Sequence, residues 1–284
     1  MIRTIVAAML VSLLVSCAGK NAATDAKTLA VSIEPQRYVL EQLVDSTYTV
    51  VSLLSRGANP ETFDPSVADR EKVERSAVYF STGVLPFEHV IEESSSTPVV
   101  ATSDGAELIY GTHAHAAGES GDHHHDADPH YWSSVSGMKA MARRMAQTLS
   151  ELSPVESDAV ARRLRVYEQH LDSLDAAVRT ILEGREGAAF AVWHPSLSYV
   201  ARDYGLRQIT LGVEGKDLSA KGLRQVIDKA KENNVAVFFF QKEYDSRQSE
   251  AVSSGMGTRV VEINPLEYDW ESQLITIANE ISRP

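Results

Sequence analysis

Cysteine is almost missing from this chain: Cys17 is the only one in 284 residues, so no internal disulfide can staple the fold. Basic charge is short as well. Against 39 Asp and Glu stand 27 Lys and Arg, a formal net charge of −12. No basic stripe is available for a phosphate backbone, which excludes nucleic acid as a partner. Long apolar runs are lacking beyond the extreme N-terminus, and a composition 43% hydrophobic and 23% charged is too polar for a multi-span membrane protein. The sequence also has no H-E-x-x-H, nucleophile elbow, P-loop or dinucleotide glycine fingerprint, so the familiar enzyme signatures are absent. What remains is a globular chain long enough for one large domain or two lobes.

What is present begins with a processing segment. In "MIRTIVAAMLVSLLVSC", Arg3 supplies the positive start, and Ile5 to Val15 form an apolar stretch too short to span a bilayer. The segment ends in Leu14-Val15-Ser16-Cys17, which matches the bacterial lipobox. Small residues there admit the signal peptidase, and the Cys17 thiol is the lipid attachment point. Residues 1–17 are therefore expected to be a lipoprotein signal peptide and 18–27 a short polar tether. The mature protein is expected on the periplasmic side of a membrane, in the cell envelope.

After the tether, nearly continuous apolar runs alternate with helical patterns. "TLAVSI", "YTVVSLL", "AVYFST" and "TPVVATS" read as one set of strands, and "AAFAVWH", "RQITLGV", "VAVFFFQ" and "RVVEIN" as a second. Such runs suit strands covered on both faces of a parallel sheet. The fold class is thus α/β, with two lobes that each carry a parallel four-stranded sheet flanked by helices. Between them, over Pro154–Gly184, the apolar residues Val160, Leu164, Tyr167, Leu171, Leu174, Val178 and Ile181 step alternately by four and three. The same seven-residue repeat serves a coiled-coil dimer or a single helix packed along both lobes; its short length favours the single helix, and a monomer. The divisions expected are an N-terminal lobe over 28–152, a linking helix over 153–185 and a C-terminal lobe over 186–284.

Histidine is unevenly spread. "THAHAAGESGDHHHDADPHYW", residues 112–132, holds six of the nine. His113, His115, His123, His124 and His125 lie in a stretch (112–128) with no apolar anchor, suited to loose, exchangeable metal capture. His130, in "DPHYW", precedes a helix with the face Met138, Met141, Met145 and Leu149; His194 ends the strand "AAFAVWH". Carboxyl ends of parallel strands face the crevice where α/β proteins bind ligands. A third feature is "RGANPETFDPS", stiffened by Gly57, Pro60 and Pro65, with Glu61 at its middle. On spacing alone Glu61 reads equally as a ligand or as a solvated loop carboxylate. Imidazoles with a carboxylate are the donor set of zinc and its first-row neighbours.

"GANPETFDPS", "DPHYW", "VWHPSLSYVARDYGLRQITL" and "INPL" resemble, in order, the four ligand-bearing signatures of the zinc/manganese ABC-transporter solute-binding proteins. The resemblance covers essentially the whole mature chain. It implies two lobes joined by one rigid backbone helix, a metal held in the cleft, and delivery to a cognate ABC permease and its ATPase. It implies Zn2+ as the cargo, with Mn2+ or Fe2+ as alternatives, and a ligand set of Glu61, His130, His194 and Asn264. Two positions depart from the family pattern. Glu61 stands where the family has His, and Asn264 where it has Asp; neighbouring Glu262 lies one pleat back. A carboxylate is a workable zinc ligand but a harder one than imidazole, and an amide oxygen is a poor donor. A surface lipoprotein that sequesters metal or adheres to host ligands would need the same tether and cleft. A metallohydrolase would need a second carboxylate as general base, and none is identifiable from spacing.

Overall fold

Parallel strands buried on both faces need unbroken apolar runs, and two sets of four such runs have folded into two sheets. The structure is a computed structural model that describes residues 25–55, 57–111, 127–212, 219–241, 252 and 254–283. The first sheet comprises β1 (Asp25–Val31), β2 (Thr49–Ser52), β3 (Ser76–Ser81) and β4 (Val99–Ala101), all parallel, in the order β2-β1-β3-β4. The second repeats that order as β6-β5-β7-β8, with β5 (Ala189–Val192), β6 (Arg207–Thr210), β7 (Val237–Phe240) and β8 (Arg259–Glu262). In each sheet the strand order reverses beside the first strand, the place where open α/β sheets form a crevice at their carboxyl ends. Consecutive residues Val78, Tyr79 and Phe80 of β3 and Phe190, Ala191 and Val192 of β5 are all buried, as two-sided coverage requires.

The first lobe is covered by α1 (Glu34–Leu43), α2 (Val67–Glu74) and α3 (Pro86–Ser94). Each begins where its sequence supplies a start signal. Pro35 and Pro86 sit in the first turns of α1 and α3, and Ser66 caps α2 by accepting from the Asp69 amide. Then follow α4 (Val135–Leu152), a short 3-10 turn at Pro154–Glu156, and the 25-residue α5 (Ser157–Ile181). The second lobe carries α6 (Ser198–Asp203), α7 (Ala220–Glu232) and α8 (Trp270–Ser282).

The four-three stripe of α5 is its buried face: Val160, Tyr167, Leu171, Leu174 and Val178 are buried, and Leu164 and Ile181 are half-buried against the same core. α5 packs on α1 and α4 from the first lobe and on α8 from the chain's end. Its outward face is tied by Lys139–Asp172 (2.5 Å), Arg143–Glu168 (2.6 Å) and His170–Glu271 (2.6 Å). Such exposed pairs add little stability. The apolar stripe carries the packing, and one helix serves both lobes.

Residues 1–24, and with them Cys17 and most of the tether, lie outside the described residues, as do His113, His115, His123, His124 and His125. Among the described residues no helix is long and apolar enough to cross a membrane.

Candidate metal centre

Three connections at strand carboxyl ends meet between the sheets. The loop after β2 is held rigidly: Gly57 adopts φ +77°, Pro60 and Pro65 are buried, and Phe63 packs edge-on against Phe87 with ring centroids 5.0 Å apart. Asn59 Oδ1 accepts the Glu61 amide at 2.8 Å, a side-chain turn that aims Glu61 out of the loop.

His130 opens a 3-10 turn, His130–Ser133, that leads into α4. The turn is anchored from below by Tyr131, whose hydroxyl donates to the Thr82 carbonyl (3.1 Å) and lies 2.8 Å from Thr102 Oγ1. Gln36 holds Thr102 in turn at 2.8 Å and accepts the Ser32 amide at 2.9 Å. The ends of β1, β3 and β4 are thus wired to the turn that carries His130. Gly137, one turn into α4, is required here, since a Cβ on it would lie 1.9 Å from the Tyr131 carbonyl oxygen. Beneath this network the buried Glu88 carboxylate accepts from Ser32 Oγ, Thr82 N (2.6 Å), Thr82 Oγ1 (2.9 Å) and Gly83 N (2.9 Å). Burial pushes its carboxyl up from the usual range against the pull of those donors.

His194 follows β5 directly, past Trp193. The chain turns at Pro195 (Ser196 N to His194 O, 2.8 Å), and Gln208 on β6 fixes the start of α6 by accepting from Leu197 N and donating to Ser198 Oγ.

The three side chains converge. His130 Nε2 and His194 Nε2 are 3.1 Å apart, and His194 Nε2 is 3.2 Å from Glu61 Oε1. One donor atom from each of Glu61, His130 and His194 lies within 4.8 Å of the others, the one such group among the described residues. Two donors bound to one tetrahedral zinc at ~2.0–2.1 Å stand about 3.3 Å from each other, close to the 3.1 and 3.2 Å that His194 Nε2 keeps from His130 and Glu61. Both histidines are buried and Glu61 is half-buried, which leaves the site facing solvent on the carboxylate side.

Asp128 sets the chemistry of His130. Its Oδ1 accepts the His130 amide at 3.0 Å and lies 2.9 Å from Nδ1. An Nδ1–H held by a carboxylate turns the Nε2 lone pair toward the centre and raises its basicity. Burial would raise the Asp128 pKa, but the His130 hydrogen bonds and charge, with the Ser198 hydroxyl, win and hold it at about 2. The carboxylate is therefore ionised at neutral pH. Asp128 was missed from the sequence although "DPH" displays it: a carboxylate two residues before a candidate histidine, across a proline, is the signal.

Asn264 spends its side chain on its own turn. Its Oδ1 accepts the Leu266 amide at 3.0 Å, its Nδ2 lies 3.4 Å from Glu267 Oε2, and its amide donates to Gln273 at 3.1 Å.

Comparison with known proteins follows the same lines. The family model of ZnuA, "Zinc-uptake complex component A periplasmic", matches residues 29–278. The zinc-binding lipoprotein AdcA of Streptococcus pneumoniae (strain ATCC BAA-255 / R6) is 25% identical over 294 residues, 99% of this chain but 58% of that protein. The chain thus spans little more than half the length of that curated relative. A crystal structure of ZnuA superposes with a TM-score of 0.81 at 30% identity, covering 91% of this chain and 98% of that one. A zinc-bound ZnuA lacking its residues 138–173 gives 0.79 at 31% identity, covering 91% and 97%. With two like-ordered parallel sheets, a shared long helix and a donor cluster between them, the chain belongs to the ZnuA family of metal solute-binding proteins.

Proposed function

We propose that this chain is an extracytoplasmic zinc-binding protein that presents the ion to an ABC permease and its ATPase for uptake. Glu61, His130 and His194 hold the ion. The observation that carries this reading is the convergence of two buried imidazole Nε2 atoms and one carboxylate oxygen from three separate connections. Two imidazoles favour zinc, whereas the carboxylate lowers discrimination against manganese and iron. Zinc is also named in the pneumococcal relative and in the zinc-bound structure, which supports it as the cargo. Water, or the second Glu61 oxygen, fills the fourth position, and Asn264 contributes by shaping its turn.

Cys17 carries the lipid that tethers the protein to the membrane, and the histidines at 113, 115, 123, 124 and 125 gather zinc loosely. The protein works as a monomer. Exchange with the permease then depends on displacing one ligand-bearing connection, since a helix common to both lobes limits hinge motion.

The test is a zinc titration of lipid-free mature protein with residues 112–126 deleted, with manganese as competitor. One tight, zinc-preferring site that survives the deletion and disappears in His194→Ala supports the reading. Tight binding that vanishes with the deleted segment sinks it and moves the metal site to the histidine run.

A further inference from the structure

One buried side chain makes two of the hydrogen bonds that join the two lobes beside the cleft. Tyr199 lies on α6, five residues after His194 and fully buried. Its hydroxyl donates to the main-chain carbonyl of Asp128 at 2.6 Å and accepts the Ile109 amide at 3.1 Å. Those two residues form the base of the histidine-rich segment, closed by Asp128 N to Ile109 O (2.7 Å) and a bridge between Tyr110 and Ala127. One phenol from the second lobe thus grips both strands of that base.

We propose that Tyr199 is a positioning residue for the metal site, which sets the spacing of His130 and His194 across the lobe boundary and ties that spacing to the base of the histidine-rich segment. This rests on the ligand assignment above.

The argument is geometric. The segment carrying Asp128 and His130 meets the segment carrying His194 and Tyr199 through the imidazole pair at 3.1 Å, the phenol-to-carbonyl bond at 2.6 Å and the Ser198 hydroxyl on the Asp128 carboxylate; of these, the phenol is the one that grips the main chain. Only Pro129 separates Asp128 from His130, so a fixed Asp128 carbonyl leaves the imidazole little travel. Two like-placed contacts back the arrangement. The Arg202 guanidinium lies 5.0 Å from the Tyr199 ring and donates to the Glu107 carbonyl (2.6 Å) and Ser136 Oγ (3.0 Å). Ser136 Oγ in turn donates to Asp203 at 2.6 Å. Burial pushes the Tyr199 phenol up to about 12, so it remains a neutral donor wherever zinc binds.

Tyr199→Phe keeps the buried ring and removes only the hydroxyl. Tyr204→Phe is the control: its hydroxyl donates to Asp175 at 3.0 Å, away from the cleft. Zinc affinity is measured by chelator competition, and site geometry from the visible absorption bands of the cobalt(II)-loaded protein, a readout that lost stability alone does not move. The expected result is about a tenfold weaker zinc affinity and altered cobalt bands for Tyr199→Phe, the loss typical of removing a group that orients a metal ligand. Tyr204→Phe should match the parent in both. Equal affinity and identical cobalt bands for the two variants overturn the proposal. Fluorotyrosines at position 199 keep the hydroxyl and the fold; cobalt bands that ignore the acidity of that hydroxyl overturn it as well. If the parent chain itself binds no zinc in the cleft, the functional reading fails and takes this inference with it, a result distinct from a parent and Tyr199→Phe that bind alike.

Discussion

At the residue scale, a donor group acts through the partners that hold it. His194→Ala removes an imidazole from a group of three. A structural zinc site is worth about 10–16 kcal/mol over four ligands, so one ligand carries roughly a hundred- to a thousandfold in affinity; chelator competition measures it. Asp128→Asn leaves all three donors in place but loosens His130 Nδ1, which lies 2.9 Å from the carboxylate. Zinc affinity should fall by about 10–100-fold with little change in the metal-free melting curve. An unaltered affinity would show that the turn alone orients His130. Zinc and protons compete for the same imidazole nitrogens, so affinity should drop as pH falls. Affinity that stays constant to pH 5 would count against both histidines. His130 and His194 stood out in the sequence because each sits beside punctuation, a proline or a strand end, whereas Glu61 was ambiguous on spacing and was singled out only by the resemblance to the family signatures. Tyr199 and Ser198 were not, since their partners lie about 70 positions away along the chain and only folding brings them together.

At the scale of elements, the strand runs were readable because parallel strands covered on both faces demand unbroken apolar sequence. Their ends were less so. The run "YTVVSLL" forms strand only over Thr49–Ser52, because β1 stops at Val31, and a strand's length is set by its neighbour. The stripe on α5 was legible to the residue, and it makes a firm prediction. Leu171, fully buried, should cost about 2–5 kcal/mol when changed to Ala, whereas Val166→Ala on the exposed face should shift the melting curve little. Gly137 is the complementary case, where nothing in the sequence revealed that α4 lies against the Tyr131 carbonyl. Gly137→Ala inserts a methyl 1.9 Å from that oxygen and should destabilise by about 1–3 kcal/mol. Because the same turn carries His130, zinc affinity should fall in parallel. Stability lost with affinity intact would mean that the turn gives way without moving the ligand.

At the scale of the molecule, the two lobes share one helix and meet at one cluster. If the proposed site holds zinc between them, the ion should stabilise the folded state by mass action, about 4 kcal/mol at a free concentration a thousandfold above the dissociation constant. Calorimetry should show a single melting transition raised by zinc and returned by chelator. Two separable transitions, with only one of them zinc-sensitive, would place all ligands on one lobe. Solution scattering should register little change in overall dimensions on loading, since α5 packs on helices at both ends of the chain. The lobe count and the connecting helix were visible in the alternation of runs. The facing of the lobes was not, because contacts such as His194 with His130 and Glu61 arise only once the second sheet is laid against the first.

Trp132 sits with its ring centroid 5.4 Å from that of His130, and Trp193 immediately precedes His194. Two of the chain's three tryptophans therefore border the imidazoles proposed to receive the cation. The protein carries its own optical gauge. Its ultraviolet emission should report cargo in real time without a dye, and the color shift of each indole should tell which side of the cleft lets go first.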